Sequence, residues 1–480
     1  MKDVDAEMLM GYDNRGVVYS LEDCVKRVVH SDYRKEALEI YDKYVKYDLS
    51  RLGFVETSLT SSGEDGDVVF LHKKEIISYP YEWSGNMLKD AILFMLKILI
   101  ELSPFGLTLK DALPNNILFD CTRPVFVDFL SLVPVEELAR EEWLTSQNEG
   151  LDPRYLVIRN MLIPYFLLPV VLMYQEDYEG ARELLGEKAC NCSSERPKLR
   201  DALMSIRKRR VFSDLGLLSK ATKAIYFGQK QFPRMYHDLY TLIEGIDLTS
   251  ARSGYLGYFQ NKDADLPITD KEKWGDKQNN TAMILERSRP GQVLDIGTNT
   301  GWYSKLAASY GCTVIATDVD EATSDALYQH TKEHNASILP LVIPFENMTK
   351  EIYGMTYDEP DYYDRDFRQH PLFSAPVKRL QSDLVLFLAL FHHMVLGNGM
   401  KMGRIIETLS TLAKKTLVLE FVDLDDQMIR DEPSFFSQLG RFTRSNYNID
   451  MVCDIGMKYF NSLDILDSDS ANRKLLVFSK

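Results

Sequence analysis

A chain of 480 residues is long for one domain, and an apolar fraction of 45% can fill more than one core. With 56 basic against 71 acidic side chains the net charge is −15, which makes nucleic acid an unlikely partner, because its backbone calls for a basic face. The basic run Ser205–Phe212, "SIRKRRVF", reads as a solvated helix end or linker.

The first residues, "MKDVDAEMLMGYDNRG", are acidic and lack the apolar centre of a signal peptide. Gly16–Val29 reads as a strand with one polar interruption. Ser31–Leu49 reads as a helix opened by a Ser/Asp cap, with Ala37, Ile40, Tyr41, Tyr44 and Val45 at helical spacing. "GFVETSL" and "DVVFLHKKEIISYP" follow as strands around the turn "SSGEDGD". Asn86–Leu102 is apolar enough for a buried helix, and "NNILFD" with "PVFVDFL" reads as a hairpin. From about Glu136 to Asp247 the pattern is mostly helical. Its most apolar run, Met161–Tyr174, is short for a bilayer span and carries Pro164 and Pro169, so no transmembrane segment is expected. Burial in the fold is the expectation there, with a lipid-substrate channel as the other reading. Cys24, Cys121, Cys190, Cys192, Cys312 and Cys453 form no disulfide framework in a chain this long. Reduced thiols and a cytoplasmic setting are expected, and the Cys190/Cys192 pair has no matching metal-ligand cluster.

Residues 251–273 are polar with Gly and Pro and read as a linker. Beyond it strands and helices alternate: "QVLDIG", "GWYSKLAASY", "TVIATDV", "TSDALYQHTKEH", "ASILPLVI", "SDLVLFLAL", "KMGRIIETLSTLA", "TLVLEFV". Parallel strands with crossover helices answer that pattern. The expected fold is α/β: a doubly wound Rossmann-like domain over 274–480, preceded by an α+β domain over 1–250.

In "GQVLDIGTNTGWYSKLAASYG" a strand runs through a Gly-Thr-Asn-Thr-Gly turn into a helix. Gly297 and Gly301 permit a tight turn and close approach of a ligand. The helix starts near Trp302, so its free N–H groups face the turn. Asp295 at the base of the turn would repel a pyrophosphate and welcome the cationic end of an amino acid. Asp318 ends the next strand, where a carboxylate can accept both hydroxyls of a ribose. Together these suit S-adenosylmethionine (SAM). Asp295, Gly297, Thr298, Asn299, Gly301 and Trp302 would face its methionyl end, Asp318 its ribose, and Val319 its adenine.

At these residues Gly291–Val422 resembles a class I SAM-dependent methyltransferase. "SYPYEWS", "LKDALPNNILF", "RPVFVDFLSL", "VLDIGTNTGWYS", "LPLVI", "LALFHHM" and "LEFV" are similar, more narrowly, to a bacterial family of nodulation-protein-related methyltransferases. That resemblance implies methylation of a small-molecule or glycan-type acceptor, with oxygen the expected target. The family carries an Asp after the third strand. Here Pro344 stands at that point in "LPLVIPFEN", so adenine contact falls to backbone atoms, Glu346 or Asn347.

"SDLVLFLALFHHM" brings His392 and His393 to the carboxyl edge of a strand, where an imidazole can act as general base or simply pack. Glu420 ends "LVLEF" on the same edge, to orient a substrate hydroxyl or a histidine, or to face water. No metal is expected in this domain. The insert Tyr357–Lys378 is long for a loop and reads as a lid or as a disordered excursion.

In the first domain Asp111, Asn116 and Asp128 have the spacing with which protein kinases hold a base and two magnesium ligands. Lys26 in a strand, Glu36 or Glu39 in the next helix and "IISYPYEWSG" as a hinge fit the order of a small kinase lobe. Against activity, Leu109-Lys110 replaces His-Arg and Leu130 replaces the final Gly of Asp-Phe-Gly. Three readings stand: a kinase-like domain using ATP and magnesium, a pseudokinase-like scaffold beside a SAM-binding domain, and a family-specific domain that shapes the acceptor pocket.

Overall fold

The computed structural model describes residues 7–9, 15–60, 66–140, 152–186, 234–248, 266–350 and 373–480, and of 7–9 the backbone only. Contacts separate two units, one drawn from Met1–Ser250, the other from Ala251–Ile352 and Phe373–Lys480. The Ser205–Phe212 run, the Cys190/Cys192 pair, most of the linker and most of the Tyr357–Lys378 insert lie outside the described residues.

The first unit opens with five strands: β1 (Glu7–Leu9), β2 (Gly16–Ser20), β3 (Cys24–Val29), β4 (Thr57–Leu59) and β5 (Val68–Lys73). They form an antiparallel sheet in the order β1-β2-β3-β5-β4. In β5 the side chains of Val68, Phe70 and His72 are buried and those between them are less so, the period-two signature of a half-covered sheet. Between β3 and β4 runs α1 (Arg34–Lys46), which buries Ala37, Ile40 and Tyr44. Val45, expected on the same face, is 59% exposed. The expected Ser/Asp cap is absent too. Ser31–Tyr33 form a separate helical turn, and the Ser31 N–H is held by Asp67 at 2.9 Å.

The long helix α2 (Gly85–Leu102) is capped by Ser84, whose hydroxyl accepts from the Met87 N–H at 3.4 Å. Burying Met87, Leu88, Ile92, Met95, Leu96, Ile98, Leu99 and Leu102 stabilises the unit by about 1.5–3 kcal/mol per side chain. Behind it come β6 (Leu107–Leu109), β7 (Ile117–Asp120), β8 (Arg123–Phe126) and β9 (Leu132–Pro134), paired β6–β9 and β7–β8. Helix α3 (Arg234–Glu244) packs on α2.

The apolar run is longer than its sequence suggested. Helical structure continues over Pro153–Tyr174, and by length and composition it could cross a membrane. In the fold, 78% of its most apolar window is buried, partly against α2. Pro164 sits in a π-helical segment, Ile158–Leu167, whose wider turn accommodates the missing donor.

The second unit begins with α4 (Asp276–Ser288), then β10 (Gln292–Ile296), α5 (Trp302–Ser309), β11 (Thr313–Asp318), α6 (Glu321–His334) and β12 (Ile338–Val342). It continues with β13 (Ser382–Phe387), α7 (Met402–Leu412), β14 (Ala413–Val422), α8 (Ile449–Gly456), β15 (Ser462–Asp467) and β16 (Arg473–Ser479). The seven-stranded sheet runs β12-β11-β10-β13-β14-β16-β15. Its first five strands in that order are parallel, and β16 lies antiparallel between β14 and β15. The sequence reading ended at β14 and did not find this closing hairpin. Strands β10 to β13 are nearly all buried, as a sheet covered on both faces requires. Chain order reverses between β10 and β13, so the crevice at their carboxyl ends is the expected place for a ligand.

Candidate active site

Asp295 is the penultimate residue of β10 and is 3% exposed. Its Oδ2 accepts from the hydroxyls of Ser304 at 2.6 Å and Thr298 at 3.0 Å. Burial pushes its pKa up to about 6, against the pull of these two hydroxyls. The carboxylate is therefore held by neutral donors.

The turn after β10 is pinned to β11, since the N–H groups of Gly297 and Thr298 both donate to the Thr317 carbonyl, at 2.8 and 3.1 Å. Gly297, Asn299 and Gly301 have φ of 73°, 50° and 79°. A Cβ on Gly297 would lie 2.8 Å from Leu390 Cδ2, and one on Gly301 would lie 2.5 Å from Leu327 Cδ1. The two glycines thus serve a left-handed backbone and close leucine packing. The expected approach of a ligand is not what crowds them.

Asp318 closes the turn from the other side. Its Oδ2 accepts from the Asn299 N–H at 2.7 Å and its Oδ1 from the Asp320 N–H at 2.9 Å. Burial raises its pKa. A carboxylate has about four lone-pair sites, and with the Val319 N–H also acting on this one, capacity for a further donor is left. Asn299 Oδ1, in the turn between the two acids, is buried with no partner among the described residues. An orphaned acceptor there and two carboxylates form an acceptor set that fits a ligand with an ammonium and a ribose. Val319 beside them is 58% exposed.

Other expectations need correction. The Trp302 ring is buried against Trp274 and Tyr303, and its Nε1–H donates to the Leu266 carbonyl at 2.8 Å. Its ring is a packing element. Glu346 and Asn347 sit on an exposed turn after β12, where the Asn398 amide donates to Glu346 Oε1.

Beyond β13, Ala389 takes a positive φ of 52°, a strained conformation that re-aims the chain into His392 and His393. His392 is fully buried against His393 and Phe436, and neither ring nitrogen has a hydrogen bond among the described residues. Burial holds its pKa well below the ordinary value. His393 is less enclosed, with its pKa lowered by burial to about 4. Both rings are neutral at pH 7 and weakly basic.

Glu420 does not face water. It is fully buried, 2.7 Å from Lys277 Nζ, and accepts from the Ser468 hydroxyl at 2.5 Å. Lys277 comes from the first turn of α4 and is 4% exposed. Nearby Arg473 binds Asp426 through two bonds of 2.8 Å. Lys277, Ser304, Ser468 and Arg473 were not singled out in the sequence. Of these, Ser304 alone carried a signal, since it lies one helical turn beyond Gly301.

In the first unit, Asn116 Nδ2 donates to the Asp111 carbonyl at 2.9 Å, and the Asp111 N–H donates to Ser131 Oγ at 2.9 Å. Asp128 accepts from Arg27 at 3.3 Å. Arg27 is therefore the β3 cation that reaches Asp128. The expected residue, Lys26, points to the opposite face by strand alternation. Glu36 pairs with Arg15 at 2.7 Å and Glu39 with Lys35 at 3.9 Å. His72 packs on Phe129, its pKa lowered to about 3 by burial and by Arg27. Among the described residues no group of three or more His, Cys, Asp or Glu is placed to hold a metal.

The antiparallel β16 separates this sheet from the all-parallel dinucleotide-binding fold, and Asp295 at the turn suits a cation in place of a pyrophosphate. The strand order of the second unit is that of class I SAM-dependent methyltransferases.

The particular likeness is to the nodulation protein NoeA of Rhizobium meliloti (strain 1021), 27% identical over 365 residues, which is 74% of this chain and 71% of that protein. No family model matches. Among solved structures, WbdD in co-crystal with the kinase inhibitor LY294002 is 17% identical, with a TM-score of 0.30 over 45% of this chain and 44% of WbdD. This chain therefore spans less than half the length of WbdD. The N-methyltransferase NodS of Bradyrhizobium japonicum WM9 is 14% identical, with a TM-score of 0.27 over 42% of this chain and 95% of NodS. Magnesium protoporphyrin IX methyltransferase of Synechocystis PCC 6803, with bound SAH, is 16% identical, with a TM-score of 0.26 over 42% of this chain and 80% of that one.

Proposed function

We propose that this protein transfers a methyl group from SAM to an oxygen of a small-molecule or glycan-type acceptor, in a cytoplasmic setting. In this reading residues 274–480 form the catalytic domain, 251–273 a linker and 1–250 an α+β domain. The observation that carries it is the pair Asp295 on β10, beside the β10–β13 switch point, and Asp318 at the end of β11, with the orphaned Asn299 Oδ1 in the turn between them. Asp295, Thr298 and Asn299 would hold the amino-acid end, Asp318 the ribose, and Val319, Glu346 or Asn347 the adenine. When bound, the cofactor supplies a methyl group on a sulfonium sulfur.

The chain's own part is alignment, which can account for several kcal/mol of barrier lowering. His393 is the imidazole with access to an acceptor, and as a neutral ring it takes the hydroxyl proton. Its low basicity makes proton removal the smaller share of the rate. His392 and Ala389 position it. Calorimetry with S-adenosylhomocysteine (SAH) on the full chain tests this reading. Binding is expected, and Asp318→Ala should weaken it by about tenfold or more. If the wild-type chain binds no SAH, or Asp318→Ala binds it unchanged, the site is wrong. Labelled SAM with a cell extract then separates an enzyme from a sensor, which labels nothing.

A second reading makes the chain a bifunctional kinase–methyltransferase. Its support is the order β1 to β5 with α1 inserted, the Asn116 brace on the Asp111 carbonyl and the Arg27–Asp128 pair. ATP with magnesium should raise the melting temperature, and Asp128→Ala should abolish that rise. No shift with magnesium ATP leaves a pseudokinase-like scaffold.

A further inference from the structure

Helix α6 carries two histidines one turn apart, His330 and His334, which take no part in the site described above. Residues four apart share one face of a helix. Their rings lie nearly face to face, with centroids 4.1 Å apart and planes inclined by 25°. Two imidazolium rings at that distance would repel, so the stack is one of neutral rings. Burial lowers the pKa of His330, with the Lys305 ammonium and His334 as further causes, while Glu333 works the other way. In His334 the proton can be placed. Its Nδ1 lies 2.9 Å from the His330 carbonyl, which only accepts, so Nδ1 carries the hydrogen and Nε2 keeps a bare lone pair. Metal-ligating histidines are held in this way, by a carbonyl or carboxylate on the other nitrogen. His334 is exposed and His330 half-buried, so the pair is open to solvent.

We propose that His330 and His334 form a binding site for a divalent transition-metal ion of the zinc, nickel or copper kind. This departs from the expectation of no metal in this domain, and it does not depend on the reading of the domain as a SAM site. Imidazole nitrogens select these ions over magnesium and calcium, which take oxygen ligands. The pair closes the C-terminal end of α6, where unsatisfied carbonyls give a helix a partial negative charge that favours a cation. A structural zinc has four protein ligands. Here two imidazoles hold the ion and water completes its shell, so it exchanges with solvent. Bound there, it ties together the last two turns of the helix whose Leu327 packs on Gly301.

The test titrates nickel chloride calorimetrically into the full chain, stripped with EDTA and dialysed, with magnesium chloride as the control. Nickel should bind saturably and raise the melting temperature, and magnesium should do neither. His334→Asn, at an exposed position, and His330→Phe, which keeps a ring in the stack, should each weaken nickel binding by about tenfold or more and remove the rise. Should His330→Phe not hold its fold by circular dichroism, His330→Gln replaces it and is read the same way. A chain that takes up no nickel overturns the site. So does nickel binding that both variants retain, as thiols elsewhere in the chain would give. Magnesium binding as tight as that of nickel overturns the imidazole ligands.

Discussion

Each unit of the chain contains a basic side chain set against an acid, and the two pairs are built to opposite ends. Arg27 and Asp128 meet at 3.3 Å with 15% and 21% of their side chains exposed. Lys277 and Glu420 meet at 2.7 Å with 4% and 0% exposed. The first pair is partly exposed, so solvent screens it. The second pair is sealed, and each charge depends on the other to remain ionised. An accessible pair suits a site that takes in a phosphate or cation. A sealed pair suits a fixed element around which a ligand is arranged.

The most severe way to break the comparison is to remove one half of the sealed pair. Lys277→Met leaves Glu420 buried without its counter-charge and should cost about 3–5 kcal/mol in urea-unfolding stability. A loss below about 1 kcal/mol would mean the pair is more hydrated than its burial indicates.

A second substitution separates binding from stability within the same domain. Asp295 has a raised pKa, so its ionised form destabilises the fold. Its contribution to stability is present below the ordinary carboxylate range and is lost as pH rises through about 6. Asp295→Asn should therefore raise the melting temperature at pH 7. The same change should weaken SAH binding by about a hundredfold, the scale of a lost charge-assisted bond. A variant with a lower melting temperature and normal binding would reverse the roles assigned to this carboxylate.

How far these features could be read from sequence follows from the range of the interactions. Asp295, the turn and Asp318 lie in one short stretch, and strand alternation with a glycine turn was enough to place them. Lys277 sits in the polar segment "TDKEKWGDKQNN" and resembles a solvated helix start, because its partner Glu420 is far away in the chain. Trp302 is expected at the ligand because the helix begins there, at the end of the glycine turn. Its buried donor went instead to the Leu266 carbonyl, a loop atom with no pattern to announce it. In β3 no residue but Val29 is fully buried, so periodicity could not choose between Lys26 and Arg27. The closing hairpin β15–β16 was missed because β15 is largely exposed and shows no apolar alternation.

The pH dependence of cofactor binding follows from the same acid. A cationic ligand group favours ionised Asp295, so binding in the acid range releases a proton. SAH affinity should fall by about tenfold between about pH 7 and about pH 5. In Asp295→Asn that slope should vanish. A slope that persists in the variant would assign the titration to Asp318, whose pKa is also raised by burial.

The smallest expected effect closes the comparison from the accessible side. Arg27→Met removes a pair of similar chemistry to Lys277–Glu420, yet Asp128 keeps its exposure and can be solvated. The cost in unfolding stability should be about 1 kcal/mol or less. Burial of His72 beside it works in the same direction, since removing the Arg27 charge lifts one of the two causes that depress the imidazole. The His72 titration, followed by NMR, should therefore move up from about 3 toward its ordinary range in the variant. A destabilisation as large as that of Lys277→Met, with His72 unmoved, would show that Arg27 is a structural post like Lys277, and the first unit would lose its accessible pair.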